Sequence, residues 1–269
     1  MQKLLFLDID GTIYSHSLNT IPTSTKEAII KAHDNGHLIF ISTGRCYPTI
    51  EPELFKLPIN GIIASCGAHI ILNDEVVSLS TFNKDDLFTL IKEMEDKEVG
   101  YSLDTAYTSF ANDKTLNIFK SRFNKGSNLL LDTMVPISEI KDEDYDKILK
   151  VCIFDKSLET VKNIVNNLPS SLSGFATEDK ILHGGYSETM IKGISKATGI
   201  NIILNILNKD IKDTIAIGDS LNDIEMISEA NIGIAMGNAC EELKDIANYI
   251  TDDIDDDGLA KAFEHFNLI

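Results

Sequence analysis

The sequence predicts an α/β protein, a core built on parallel strands and interrupted by an inserted α+β domain. Three observations carry this. Short apolar runs bounded by polar residues, at 4–7, 38–41 and 214–217, have the composition of strands buried on both faces of a parallel sheet. Segments of helical period stand between them. From about residue 83 to about residue 188 the pattern changes to amphipathic helices mixed with strands that need not be parallel, which marks a separate unit. The expected division is a core of residues 1–82 and 189–269 around an inserted domain of residues 83–188.

Leu4-Leu5-Phe6-Leu7 is the opening strand, and it passes directly into Asp8-Ile9-Asp10-Gly11-Thr12. Side chains alternate across a strand, so Asp8 and Asp10 share one face, with roots roughly 6–7 Å apart, while the chain stays extended. A divalent cation and a phosphoryl group fit between acids at that spacing; a strand ending in solvated acids is the other reading of the same residues. Gly11 lets the backbone turn sharply and Thr12 adds a polar group beyond the turn. Ser24 and Glu27 stand at capping-box spacing after Pro22, and Asn35-Gly36 has the form of a helix end, which predicts a helix over 24–35. The strand 38–41 that follows ends in Ser42-Thr43-Gly44-Arg45, and a third strand, 62–65, ends in Cys66-Gly67-Ala68 before a small hairpin over 69–80.

In the insert, Leu87, Leu90, Ile91 and Met94 mark a helix, 101–111 reads as strand, turn, strand, and 148–154 is a strand. Leu158, Val161, Ile164, Val165 and Leu168 line a second helix. From Gly193 the α/β alternation returns. A helix carrying Ile200, Ile203, Leu204 and Leu207 leads to the strand 214–217, which ends in Gly218-Asp219, and two short strands follow at 232–236 and 248–251.

Composition narrows the function classes. A chain of 269 residues with 43% hydrophobic and 25% charged residues is ordinary for a globular protein, and no apolar run approaches a membrane span. The N-terminal apolar run is too short for a signal-peptide core. The four cysteines, at 46, 66, 152 and 240, form no CxxC pair, which argues against a zinc site and for a reducing, cytoplasmic setting. A net charge of −18 disfavours nucleic acid and anionic membrane as partners, because both require a basic surface. An anionic substrate would have to be held by a local cluster. No sequence feature sets the oligomeric state.

Ligands of open parallel sheets bind at the carboxyl ends of strands, where strand order reverses. Three such ends carry related chemistry: Asp8 with Asp10, Ser42 with Thr43, and Asp219 with Asp223. Asp219 and Asp223 are four residues apart on one face of a helix start and could hold a cation jointly, although the helix dipole also favours acids there. Lys196 follows Ser195 at a helix start, where the dipole disfavours a positive charge, which points to an anionic partner unless the lysine is simply solvated.

This set of residues resembles the haloacid dehalogenase-like superfamily, and within it the Cof-type phosphatases. Asp8-Ile9-Asp10-Gly11-Thr12 is similar to the first motif, Ser42-Thr43-Gly44-Arg45 to the second, Gly193-Ile194-Ser195-Lys196 to the third and Gly218-Asp219-Ser220-Leu221-Asn222-Asp223 to the fourth. Ala235-Met236-Gly237-Asn238-Ala239 is similar to a tract of the Cof-type branch. The resemblance implies a Rossmann-like core with an α+β cap that selects substrate, and a phosphomonoester hydrolase acting on a small phosphorylated metabolite such as a sugar phosphate. It implies Asp8 as the nucleophile that becomes an aspartyl phosphate and Asp10 as the acid and base. Thr43, Gly44, Lys196 and Asn222 are implied as the phosphate-binding set, with Thr43 and Lys196 also in the catalytic set. Mg²⁺ is implied as cofactor, held by Asp8, the backbone carbonyl of Asp10 and Asp219, with Asp223 nearby; oxygen ligands without His or Cys suit that ion.

The family commonly has Asn where this chain has Cys66, and a small buried thiol is the plain reading of that position. Arg45 is left outside the catalytic set. The six histidines match no metal spacing; His183 and Tyr186, where the insert returns to the core, are candidates to face substrate. The acids of the 252–257 tract read as a solvated loop before a helix. A phosphomutase would share the aspartyl-phosphate step and is the enzymatic alternative. A non-catalytic phosphate-binding or receiver-type signalling protein uses a similar set of acids, hydroxyl and lysine, but such modules are short and the long insert argues against one.

Overall fold

The computed structural model describes residues 2–122, 129–179 and 183–269. Two compact units divide the chain, one of residues 1–44, 52–78 and 195–269, the other of residues 45–51 and 79–194. The expected insert, 83–188, is thus extended at both ends, and the segment Arg45–Glu51 packs with it.

The first unit is built on a sheet of eight strands in the order Tyr249–Ile250, Ile232–Ala235, Thr214–Gly218, Leu4–Leu7, Leu38–Ser42, Gly61–Ala64, His69–Leu72 and Glu75–Leu79. The first six are parallel, and His69–Leu72 turns back antiparallel on Gly61–Ala64. Leu4–Leu7 lies between the strand that ends at Gly218 and the strand that ends at Ser42, so chain order reverses about it. All four of its residues are fully buried, because both faces of the sheet are covered. On one face Leu4, Phe6, Phe40, Ile63 and Ala216 pack with Ile200, Ile203 and Leu204 of the helix Lys196–Leu207 and with Met226 and Ile227 of Ile224–Glu229. The rings of Phe6 and Phe40 stack at 4.9 Å across neighbouring strands.

The first helix runs Thr23–Asp34, and the expected Ser24–Glu27 capping box does not form. Because the helix starts at Thr23 with Pro22 at the cap, Ser24 already lies in its first turn, and its hydroxyl donates to Asp257 instead, at 2.5 Å.

The second unit holds a six-stranded sheet in the order Leu172–Asp179, Gly184–Ile191, Lys150–Asp155, Gly100–Asp104, Ser109–Ala111, Met134–Pro136, antiparallel except for the last pair. Two helices, Lys84–Asp96 and Leu158–Asn166, cover one face. Asn83 and Ser157 cap them by accepting backbone N–H groups of Asp85 and Thr160. Leu87, Leu90, Met94, Val161 and Ile164 meet Tyr101, Leu103, Val151 and Ile153 there. Strand alternation sends Ser102, Asp104, Lys150, Cys152 and Glu188 to the opposite face. Lys150 Nζ lies 2.8 Å from Glu188 Oε1 and 3.7 Å from Asp104 Oδ2; Tyr186 donates its hydroxyl to Glu188 at 3.0 Å and Ser109 donates to Asp104 at 2.6 Å. Tyr186 is therefore committed to this cluster, whereas His183 is exposed.

Asp104, Lys150 and Glu188 are each at least 95% buried, so removing the one ammonium strands two carboxylates away from water. Lys150→Met is expected to destabilise the protein by about 3–5 kcal/mol, read as a lower urea midpoint. A midpoint within error of the wild type would show that water reaches this face.

Candidate active site

Asp8 follows the central strand, and its backbone N–H still donates to Ile217 O at 3.0 Å, so the ladder holds its carboxylate at the carboxyl end of the sheet. Asp8 is 4% exposed. Lys196 Nζ lies 2.6 Å from Asp8 Oδ1, 2.6 Å from Asp223 Oδ1 and 2.9 Å from Asn222 Oδ1. The lysine opens its helix behind a Ser195–Thr198 capping box and is wholly buried. The unfavourable place of a cation at a helix start is thus offset by two carboxylates, and the solvated alternative is excluded.

Asp223 does two things at once. Its Oδ1 meets Lys196, and its Oδ2 accepts the backbone N–H groups of Asp219 and Ser220, both at 3.0 Å. This ties the turn after Thr214–Gly218 to the lysine. Asp219 brings its carboxylate against Gly11, where a Cβ would come within 2.3 Å of Oδ2; the glycine's φ of +80° adds a second reason for the residue type.

Thr43, fully buried, links the neighbouring strand exits: its N–H donates to Ile63 O at 2.7 Å and its carbonyl accepts from Cys66 N–H at 3.0 Å. Gly44 follows as the last residue of that segment of the first unit. Ser65, Cys66 and Gly67 all have positive φ, and a Cβ on Gly67 would lie 2.1 Å from Ser195 O. That turn sets the Lys196 helix against the Thr43 exit. Cys66 is buried, as expected of it, in a left-handed conformation that Asn adopts more readily.

Asp10, near enough for its charge to raise Asp8 and Asp219, also meets a histidine. Its Oδ1 lies 2.8 Å from Nε2 of His16, a residue the sequence pattern did not single out. Arg45 bonds Thr49 O and the Glu51 carboxylate within the second unit, consistent with a structural role. Of the acidic tract, Asp255 and Asp257 are engaged by Ser15, Ser17 and Ser24, so it is more than a solvated loop.

Oxygen atoms of Asp8, Asp219 and Asp223 lie within 4.8 Å of one another. Burial first, then the neighbouring Asp223 and Asp10, push the Asp8 carboxyl up to about 8, against the pull of Lys196. Burial and the Asp8 and Asp223 charges hold Asp219 well above the ordinary carboxylate range. Burial acts to lower Lys196, but Asp223 and Asp8 outweigh it and hold the ammonium above its ordinary value. Asp8 moves up beside a firmly charged lysine because it is buried and because Asp8, Asp223 and the half-buried Asp219 crowd around one ammonium. With all three ionised, two negative charges remain uncompensated, and Asp219 Oδ1 is buried without a protein partner. A hard divalent cation fits that donor set and charge.

A family model for haloacid dehalogenase-like hydrolases matches residues 5–263. The chain belongs to that family. As a haloacid dehalogenase-like hydrolase it is 31% identical over 271 residues to YkrA of Bacillus subtilis (strain 168), covering 99% of this chain and 98% of the relative. It is also 28% identical over 270 residues to the 5-amino-6-(5-phospho-D-ribitylamino)uracil phosphatase YcsE of the same organism, covering 99% and 96%. Among solved structures, the sugar phosphatase BT4131 of haloacid dehalogenase subclass IIB superposes with a TM-score of 0.85 at 29% identity over the whole of both chains. The protein is a haloacid dehalogenase-type phosphatase. No helix among the described residues is long and apolar enough to cross a membrane.

The crowded carboxylates make metal-free stability depend on pH. Asp8 takes up its proton near 8 in the fold and near 3.8 in the unfolded chain, so between those values the folded state binds more protons. Stability of the metal-free protein should therefore fall as pH rises from about 4 to about 8, and a divalent cation should restore more of it at the alkaline end. Melting temperatures with EDTA and with Mg²⁺, at about pH 5 and about pH 8.5, check this. A Mg²⁺ shift as large at the lower pH would contradict it.

Proposed function

We propose that this phosphatase is a Mg²⁺-dependent phosphomonoester hydrolase of the cytoplasm that acts on small phosphorylated metabolites, sugar phosphates foremost, through an aspartyl phosphate on Asp8. The observation that carries the reading is the buried Asp8–Lys196–Asp223 arrangement at the carboxyl end of the central strand. The sugar-phosphate assignment rests on the likeness to the sugar phosphatase BT4131, and the cytoplasmic one on four free cysteines.

In this reading Asp8, Asp219, Asp223 and the carbonyl of Asp10 would hold Mg²⁺, which would neutralise the negative charge that otherwise keeps a carboxylate from a phosphate. Asp8 attacks phosphorus as its oxygen forms the new P–O bond and the ester P–O bond breaks. The Asp10 carboxyl gives its proton to the departing oxygen. A water then attacks the aspartyl phosphate, Asp10 takes the water's proton, and inorganic phosphate leaves with Asp8 regenerated. Lys196 orients Asp8 and, with Thr43, Gly44 and Asn222, supplies positive charge and donors to the transferring oxygens. The second unit serves as the cap that selects the leaving group.

Rapid acid quench with labelled aryl phosphate tests the two acids. Asp8→Asn should carry no label and release no phosphate. Asp10→Asn should retain label longer than the wild type, because attack on an ester with a good leaving group persists while hydrolysis lacks its base. Label on Asp8→Asn at wild-type levels would move the nucleophile elsewhere. With a hexose bisphosphate, free phosphate as product supports the hydrolase and isomerised monophosphate the mutase.

The cap assignment has its own test. Replacing residues 83–188 by a short linker should erase discrimination among phosphorylated metabolites more than it slows turnover of an aryl phosphate. Unchanged metabolite preferences would remove that role from the second unit.

A further inference from the structure

The loop from Asp10 to Thr20 is more closely tied than a connection between a strand and a helix requires. Asp10 and Tyr14 form a bridge, with Gly11 N–H donating to Tyr14 O at 3.0 Å, and Ser15 and Thr20 exchange both backbone hydrogen bonds at 3.0 and 3.3 Å. Ser15 Oγ accepts from Leu18 N–H and donates to Asp255 Oδ1 at 2.5 Å, and Ser17 also donates to Asp255. Tyr14 donates its hydroxyl to Asn19 Oδ1 at 3.0 Å and sets its ring edge-on to His16, with centroids 5.6 Å apart. All these ties converge on one placement. They hold the His16 imidazole with Nε2 at 2.8 Å from Asp10 Oδ1.

We propose that His16 is a positioning residue for Asp10: its ring fixes the plane of the Asp10 carboxyl so that the acid meets the departing ester oxygen. The inference rests on the acid–base role assigned to Asp10 above. Asp8 is held by Lys196 in a buried cluster, whereas the Asp10 side chain is 37% exposed and meets His16 Nε2 through Oδ1. A hydrogen bond to one carboxyl oxygen restrains the group and directs the other oxygen. His16 exchanges no proton with substrate. The proton that reaches the leaving oxygen comes from Asp10 and is replaced from the water that attacks the aspartyl phosphate.

A positioning role predicts a loss that depends on the leaving group. His16→Ala should lower the single-turnover rate of Asp8 phosphorylation about tenfold or more with alkyl and sugar phosphates, whose alkoxides need the proton, and less than about twofold with 4-nitrophenyl phosphate, whose phenolate does not. KM should change little for either. His16→Gln, whose amide N–H can replace the imidazole donor, should recover much of the alkyl-ester rate. In the Asp10→Asn background His16→Ala should cost nothing further on alkyl esters. His16 is 49% exposed, so the folded state should survive its replacement, and matched melting temperatures check that. An equal loss on both ester classes, no loss on either, or a fully additive double variant would each overturn the proposal. If Asp10→Asn alone shows no selective loss on alkyl esters, the acid–base role of Asp10 fails, separately from the placement of His16.

Discussion

One buried ammonium organises the carboxyl end of the core sheet. Lys196 neutralises Asp8, receives Asp223 and Asn222, and does so from the first residue of a helix, where a cation is least welcome. The buried ammonium stays charged because Asp223 and Asp8 outweigh the effect of its burial. Burial and the neighbouring carboxylates hold Asp8 and Asp219 above the ordinary carboxylate range, so Lys196, Asp8, Asp219 and Asp223 form one electrostatic unit. The backbone serves that unit too: Asp223 caps the turn that carries Asp219, and the left-handed Ser65-Cys66-Gly67 turn seats the lysine helix against the exit of the Thr43 strand.

The second unit solves a different problem with similar means. Its sheet has an apolar face closed by two helices and a face on which Lys150 sits between Asp104 and Glu188 with hydroxyls of Ser109 and Tyr186 around them. Each member is satisfied by another, which is the condition under which buried charge is tolerated. The contrast between the units is instructive. In the core, the carboxylates of Asp8, Asp219 and Asp223 cluster beside one ammonium; in the second unit compensation is largely internal.

The strands of the core were legible because both faces of a parallel sheet are buried, so Leu4–Leu7, Leu38–Ser42 and Thr214–Gly218 announce themselves as apolar runs. The long paired strands Leu172–Asp179 and Gly184–Ile191 carry Ser, Thr and Glu at buried or half-buried positions and were not legible, since the buried charge of Glu188 is met by Lys150, distant in sequence. The helix Asp113–Arg122 was missed for a related reason: few of its residues are apolar, and Thr115 earns its burial by bonding Tyr101 O. The capping box at Ser24 had the right spacing, but a one-residue difference in where the helix starts took Ser24 to Asp257.

By itself the sequence determined the family, the parallel core and the identity of the acids at its strand ends, because those depend on residue type and local spacing: apolar runs, Asp8 with Asp10, Asp219 with Asp223. Only the tertiary structure decided which acids share a charge. Lys196 is 188 residues from Asp8 yet lies 2.6 Å away, and no local pattern contains that pairing. It likewise separated the two leading acids, giving Asp8 to the lysine and Asp10 to His16, because a strand's alternation sets where side chains leave the backbone while the loop beyond the strand sets what they meet.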